Sequence, residues 1–230
     1  MSVFDLKLVA IATMVVDHVG AFFFPGVGWL RVVGRLSFPL FAWLVANGAR
    51  HTGDMGGYLR RLFVFAVVAQ APFVLTKRLV EVNFWELNVL FSLALGLMAV
   101  LVVRRNGGWG VRAAGVVSIC AAAVILKVEY GAVGVLSVIA SYVFFSRWVN
   151  LMCWQILIFV APFFLAEMLA FFTKGIVELN VPGNIQMIAP LAFVLVYFYS
   201  GKQGPRGKYW FYAFYPAQFV VIYLLKRMGI

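Results

Sequence analysis

Long apolar runs dominate this chain and decide its fold class. They lie at about Leu6–Phe24, Trp29–Ala49, Arg61–Leu75, Asn88–Val103, Trp109–Lys127, Tyr130–Val149, Leu151–Phe172, Ile185–Tyr199 and Trp210–Lys226. A helix needs about 20 residues to cross a bilayer, whereas a membrane β-strand would alternate over about ten. About nine helices of that size use about 180 residues, so a chain of 230 has no room for a separate soluble domain. Composition agrees: 64% of residues are hydrophobic and 12% charged, against about 45–50% and about 25% in soluble domains. Such a chain cannot cover itself with a water-facing surface. A soluble globular enzyme and a disordered chain are both excluded. The expectation is an all-α polytopic membrane protein, about nine transmembrane helices in one bundle, with residues 1–230 forming a single integral domain.

The net charge of +11 comes from 19 Lys and Arg against 8 Asp and Glu. In an apolar chain this reads as basic loop ends beside an anionic cytoplasmic leaflet, not as a nucleic-acid surface. An N-terminus on the inside places Lys7, Arg50, Arg60, Arg61, Arg104, Arg105, Arg112, Arg147, Lys202, Arg206 and Lys208 on the cytoplasmic side. The outer side then keeps Arg31, Lys77, Arg78, Lys127, Lys174, Lys226 and Arg227. The expected location is the bacterial inner membrane. Glu81, Glu86, Glu129, Glu167 and Glu178 fall at or near the outer face, where carboxylates attract a cationic ligand. Cys120 and Cys153 sit in apolar runs and imply no disulfide framework. Asp5, Asp17-His18 and the bulky Phe22–Pro25 end do not suit a cleavable signal peptide, so the first run is expected to stay in the membrane.

Asp17 and His18 lie deep in that first run. A charge at the bilayer centre costs about 3 kcal/mol on insertion scales, so it persists where it faces the bundle and has a partner. Arg31 and Arg35 share one face of the second run. Counting back from the outer turn at 24–28 to His18, and forward to Arg35, puts both about 10 Å below the outer surface. An antiparallel hairpin therefore sets Arg35 level with Asp17-His18. Neighbouring helical residues diverge by about 100°, so Asp17 is expected to pair with Arg35 or Arg31 and leave His18 toward a cavity. The bland alternative is an ion pair that only locks two helices together.

Gly34, Pro39 and Gly48 permit close packing or local unwinding in the second run. Asn88 and Gln186 begin runs on the outer side, and Glu129 lies in a short outer turn; such groups are most often caps or packing residues. Arg31, Glu129 and Asn88 are nevertheless the acceptor-side candidates. His51 reads as a solvated loop histidine. Residues 200–208 combine glycines with Lys202, Arg206 and Lys208, a composition able to hold phosphates. Tyr215 and its aromatic neighbours at the start of the last run offer faces for stacking an adenine. No metal cluster, Walker A loop or GxGxxG stretch is present.

Met14-Val-Val-Asp17-His18-Val-Gly20 and Gly34-Arg35-Leu-Ser-Phe-Pro39-Leu-Phe41, running on to Asn47-Gly48, resemble the TraX family of conjugative pilin acetylases. Tyr58-Leu-Arg60-Arg61-Leu62 and Lys208-Tyr-Trp-Phe-Tyr-Ala-Phe-Tyr215-Pro216 are further matches. The chain departs from the family at Gln218, where a histidine is usual. The resemblance implies a membrane acetyltransferase with acetyl-CoA as co-substrate and no metal. The acceptor would be a protein N-terminus such as pilin's, a glycan or a small secreted metabolite. In that reading Arg60, Arg61, Lys202, Arg206 and Lys208 meet the CoA phosphates, His18 is the base or transient acetyl carrier, and Arg35, held by Asp17, polarises the thioester. Imidazole suits the role because it titrates near neutral pH. The rival is a proton-coupled transporter using Asp17, His18 and Arg35 as a relay; the sequence shows neither inverted repeats nor paired broken helices for it. A non-catalytic factor in assembly of a surface appendage is the third reading.

Overall fold

A computed structural model describes residues 1–80, 85–174, 185–205 and 208–229, the side chains at 174 and 208–210 aside. Among these residues the fold is all-α, and the only strand-like feature is an isolated bridge between Leu87 and Val128. The helices are α1 (Val3–Phe22), α2 (Gly28–Gly34), α3 (Ser37–His51), α4 (Met55–Leu79), α5 (Val89–Arg104), α6 (Trp109–Ile125), α7 (Gly131–Val143) and α8 (Trp148–Lys174). A 3₁₀ segment, Ile185–Leu191, follows, then α9 (Ala192–Tyr197) and α10 (Lys208–Arg227).

All nine apolar runs are helical, yet they differ as membrane crossings. Gly28–His51, Met55–Leu79 and Trp148–Thr173 are long and apolar enough to span. The helix α7 has 13 residues, about 20 Å at 1.5 Å per residue, against a hydrocarbon core of about 30 Å. The 20 residues of α1 include Asp5, Lys7 and Asp17. Large apolar side chains stand exposed along α8, with Phe172 at 75%, as suits a surface that meets lipid instead of water.

The chain divides into two compact units, and the division falls within α3. Met1–Leu44 and Phe144–Gly204 make the first. A capping box starts α1: Ser2 Oγ accepts from the Asp5 N–H, and Asp5 Oδ2 accepts from the Ser2 N–H. Pro25 lies just beyond the end of α1, where it has no N–H to carry a helix on. The chain reverses through a turn closed by the Val27 N–H to Phe24 carbonyl bond, 2.9 Å, and α2 returns against α1. The core of this unit gathers Leu6, Ala10, Leu40, Trp43, Leu151 and Phe193. Trp148 Nε1 donates to the Phe193 carbonyl at 2.9 Å and ties α8 to α9.

Val45–Val143 and Pro205–Ile230 make the second unit. Here α4 and α10 run parallel. Phe65 stacks on Tyr212 and Phe73 meets Phe219 edge-on, so the contacts advance together along both helices. Leu87 pairs with the α6–α7 turn by donating to the Lys127 carbonyl and accepting from the Glu129 N–H.

The second run is a continuous stretch whose turn tightens at Arg35–Leu36, where Gly34 and Pro39 allowed for local unwinding. The Arg35 N–H keeps the Arg31 carbonyl at 3.1 Å and also reaches the Val32 carbonyl at 3.2 Å, and the Leu36 N–H reaches the Val33 carbonyl at 3.2 Å. The cause is Pro39, which lacks the N–H that Arg35's carbonyl would receive and whose ring crowds that carbonyl. The eighth run is likewise interrupted, by the 3₁₀ segment that contains Pro190.

Candidate functional site

Within the first unit, Asp17 projects from α1 toward α2. Gly34 is what lets it in. A Cβ on Gly34 would overlap the Asp17 carboxylate, and a Cβ on Gly20 would lie 2.7 Å from the Leu30 Cβ. Two glycines on facing helices thus bring the backbones close, as small residues do in membrane helix pairs.

The carboxylate is shared by two guanidinium groups. Arg31 Nη1 donates to Asp17 Oδ2 at 2.6 Å and to the Asp17 carbonyl at 2.9 Å. Arg35 Nη2 donates to Oδ1 at 2.9 Å and Oδ2 at 3.2 Å. The sequence left Arg31 and Arg35 as alternatives; the structure uses both. Arg35 is held further by its Nε, 3.4 Å from the Arg31 carbonyl, and its Nη1, 3.0 Å from Gln186 Oε1. The side chains of Asp17 and Arg35 are 16% and 18% exposed and that of Arg31 31%, so Arg31 is the more open of the two cations. His18 follows Asp17 on α1, half-buried, with its ring edge-on to Phe22 at 6.2 Å. Ser37 Oγ donates to the Ala10 carbonyl at 3.0 Å and pins the start of α3 to α1 one helical stretch below the site.

Gln186 is the residue the sequence reading undervalued as a possible cap. It sits at the start of the 3₁₀ segment, 151 positions from Arg35. A signal was present: Arg35 and Gln186 each stand four residues before a proline, Pro39 and Pro190. Both prolines interrupt the helix in the turn that carries the polar side chain.

The remaining candidates disperse. Arg60 is exposed in the early turns of α4; Arg61 beside it lies 3.8 Å from Asp54, whose carboxylate caps that helix through the Gly57 N–H. Lys202 belongs to the first unit, where its carbonyl accepts from the Val3 N–H. Arg206 and the Lys208 side chain, like Glu81 and Glu178, lie outside the described residues. Tyr215 is not an open stacking surface: it is 4% exposed and packs edge-on against Phe219. Asn88 is fully buried as the cap of α5. Its Nδ2 donates to the Ala66 carbonyl and Gln70 Oε1, and its Oδ1 accepts from the Leu90 N–H, the cap role the sequence favoured. Glu129 is exposed in the α6–α7 turn, in a different unit from Arg31. His51 is exposed, with Nδ1 2.8 Å from the Asn47 carbonyl. Among the described residues no group of three or more His, Cys, Asp or Glu is placed to hold a metal ion.

The chain as a whole is similar to known proteins. A probable fimbrial assembly protein, FimC of serogroup H1 from Dichelobacter nodosus, is 28% identical over 96% of this chain and 94% of its own length. Protein TraX of Escherichia coli is 28% identical over 60% of this chain and 54% of its own. No solved structure matches the chain. The model of the TraX protein family matches residues 3–226, which include the Asp17–Arg31–Arg35 centre and Gln186. The chain belongs to the TraX family.

Proposed function

We propose that the protein is a membrane-embedded acetyltransferase that moves acetyl from cytosolic acetyl-CoA to an amine or hydroxyl acceptor at the other face of the inner membrane. The observation that carries this reading is the Asp17 carboxylate shared by Arg31 and Arg35, with His18 next to it on the same helix. One guanidinium suffices to neutralise a buried carboxylate. A second guanidinium and an imidazole add desolvation cost that a simple helix lock does not need.

In this reaction the acceptor N–H or O–H gives its proton to His18 while its heteroatom bonds to the thioester carbon. The carbonyl electron pair moves to oxygen, where the guanidinium edge stabilises it. The C–S bond then breaks, and CoA leaves as the thiol with the proton from His18. Arg60 and Arg61, in the early turns of α4, are the cations offered to the CoA phosphates by charge. Nine crossings with the N-terminus inside put them on the cytosolic side. The parallel course of α4 and α10, the third and ninth runs, supports that count.

The transporter reading gains one point from the structure, because two elements are interrupted where Arg35 and Gln186 meet. The two readings separate by product. Intact mass spectrometry of secreted and surface material from cells with and without the protein should show a species differing by one acetyl group. Identical masses, with solute uptake that follows the pH gradient, would reject the acetyltransferase.

A further inference from the structure

The Gln186 carboxamide carries two N–H donors at Nε2, and among the described residues neither is accepted. Its Oε1 receives Arg35 Nη1 at 3.0 Å. A guanidinium only donates, so this contact fixes which end of the amide is oxygen. The Nε2 end therefore faces away from Arg35. It is buried, and among the described residues it meets no acceptor. An N–H in that state costs about 1–3 kcal/mol.

The surroundings hold that amide still. Ala189 and Pro190, in the same 3₁₀ segment, are buried. Arg35, its partner, is fixed by Asp17 and by the Arg31 carbonyl. An immobile, dry donor beside two guanidinium groups is suited to an oxygen that carries or develops negative charge.

We propose that Gln186 Nε2 is a donor to a ligand oxygen, and that with the Arg31–Arg35 edge it forms a subsite for an acyl carbonyl or carboxylate. The inference deepens the acetyl-transfer reading, in which this oxygen is that of the thioester. Gln186 then has two separable jobs. Its Oε1 positions Arg35, and its Nε2 touches the reacting group.

Two variants pull those jobs apart. Gln186→Glu keeps an acceptor for Arg35 and removes the donor, whereas Gln186→Met removes both at similar volume. The probe is acetonyl-CoA, a ketone analogue of acetyl-CoA that cannot transfer its acyl group, labelled with ¹³C at the carbonyl. On the full chain in detergent, infrared spectroscopy should show the bound carbonyl band shifted down from its value in solution. Both variants should lose the shift and weaken binding about tenfold, the worth of one hydrogen bond, while melting as the wild type does. A Gln186→Glu protein that keeps the wild-type band overturns the donor role and leaves Gln186 as a positioning residue only. If acetonyl-CoA does not bind the wild type, the acetyl-CoA reading fails and the subsite is judged with ¹³C-acetate. An acetate resonance that shifts on the wild type and not on Gln186→Met sustains the subsite; no shift on the wild type removes it.

Discussion

Asp17 is the residue on which the rest turns, and its position depends on an atom that is missing. Gly34 has no Cβ, and the space such an atom would fill is occupied by the Asp17 carboxylate. Gly34→Ala should push the carboxylate off both guanidinium groups. The expected cost is about 1–3 kcal/mol from overpacking, seen as a lower melting temperature, with acetyl transfer reduced at least tenfold by the roughly 1.4 kcal/mol per decade of rate. Gly26→Ala is the control, since a Cβ there meets nothing within 4 Å. Equal melting and turnover for the two variants would show that Asp17 tolerates displacement and is not the organising group.

Elements matter through their interruptions. Pro39 tightens the chain at Arg35, and Pro190 lies in the 3₁₀ segment that presents Gln186. In α10, Pro216 is followed by Gln218, which is 9% exposed and, among the described residues, has no hydrogen-bond partner at either Nε2 or Oε1. A buried carboxamide with both ends unmet is a burden on the helix. Gln218→Leu, which lifts that burden at similar size, should leave stability unchanged or raise it by up to about 3 kcal/mol, read as an equal or higher melting temperature. A clear loss of stability in thermal unfolding would mean that the amide has a partner in the membrane. Much at this scale was legible in the sequence. The apolar runs predicted helices whose ends fall mostly within a few residues of α1 and α4 to α10, and counting 1.5 Å per residue along a hairpin set Arg35 beside Asp17. What stayed hidden has physical causes. Apolar content continues straight through Arg35–Leu36, so hydropathy does not locate the tightened turn; Gly34 and Pro39 marked only that unwinding was permitted there. The Arg35–Gln186 contact bridges 151 positions and depends on how α2 and the 3₁₀ segment pack, which no periodicity encodes. Asn88 and Tyr215 looked available because polar and aromatic side chains in a loop or at a helix start carry no sign of burial.

For the molecule as a whole, the TraX family match runs over nearly the whole chain, residues 3–226, and the polar centre lies within its apolar runs. The proposed reaction joins a donor made on one side of a bilayer to an acceptor on the other. Sealed proteoliposomes carrying the full chain test that directly, with labelled acetyl-CoA outside and an amine acceptor inside. The account predicts labelled acceptor in the lumen and free CoA thiol outside for the wild type. For a folded His18→Ala protein, it predicts a fall of at least a hundredfold, the low end of general acid–base contributions. Acetylation by His18→Ala at the wild-type rate would contradict it.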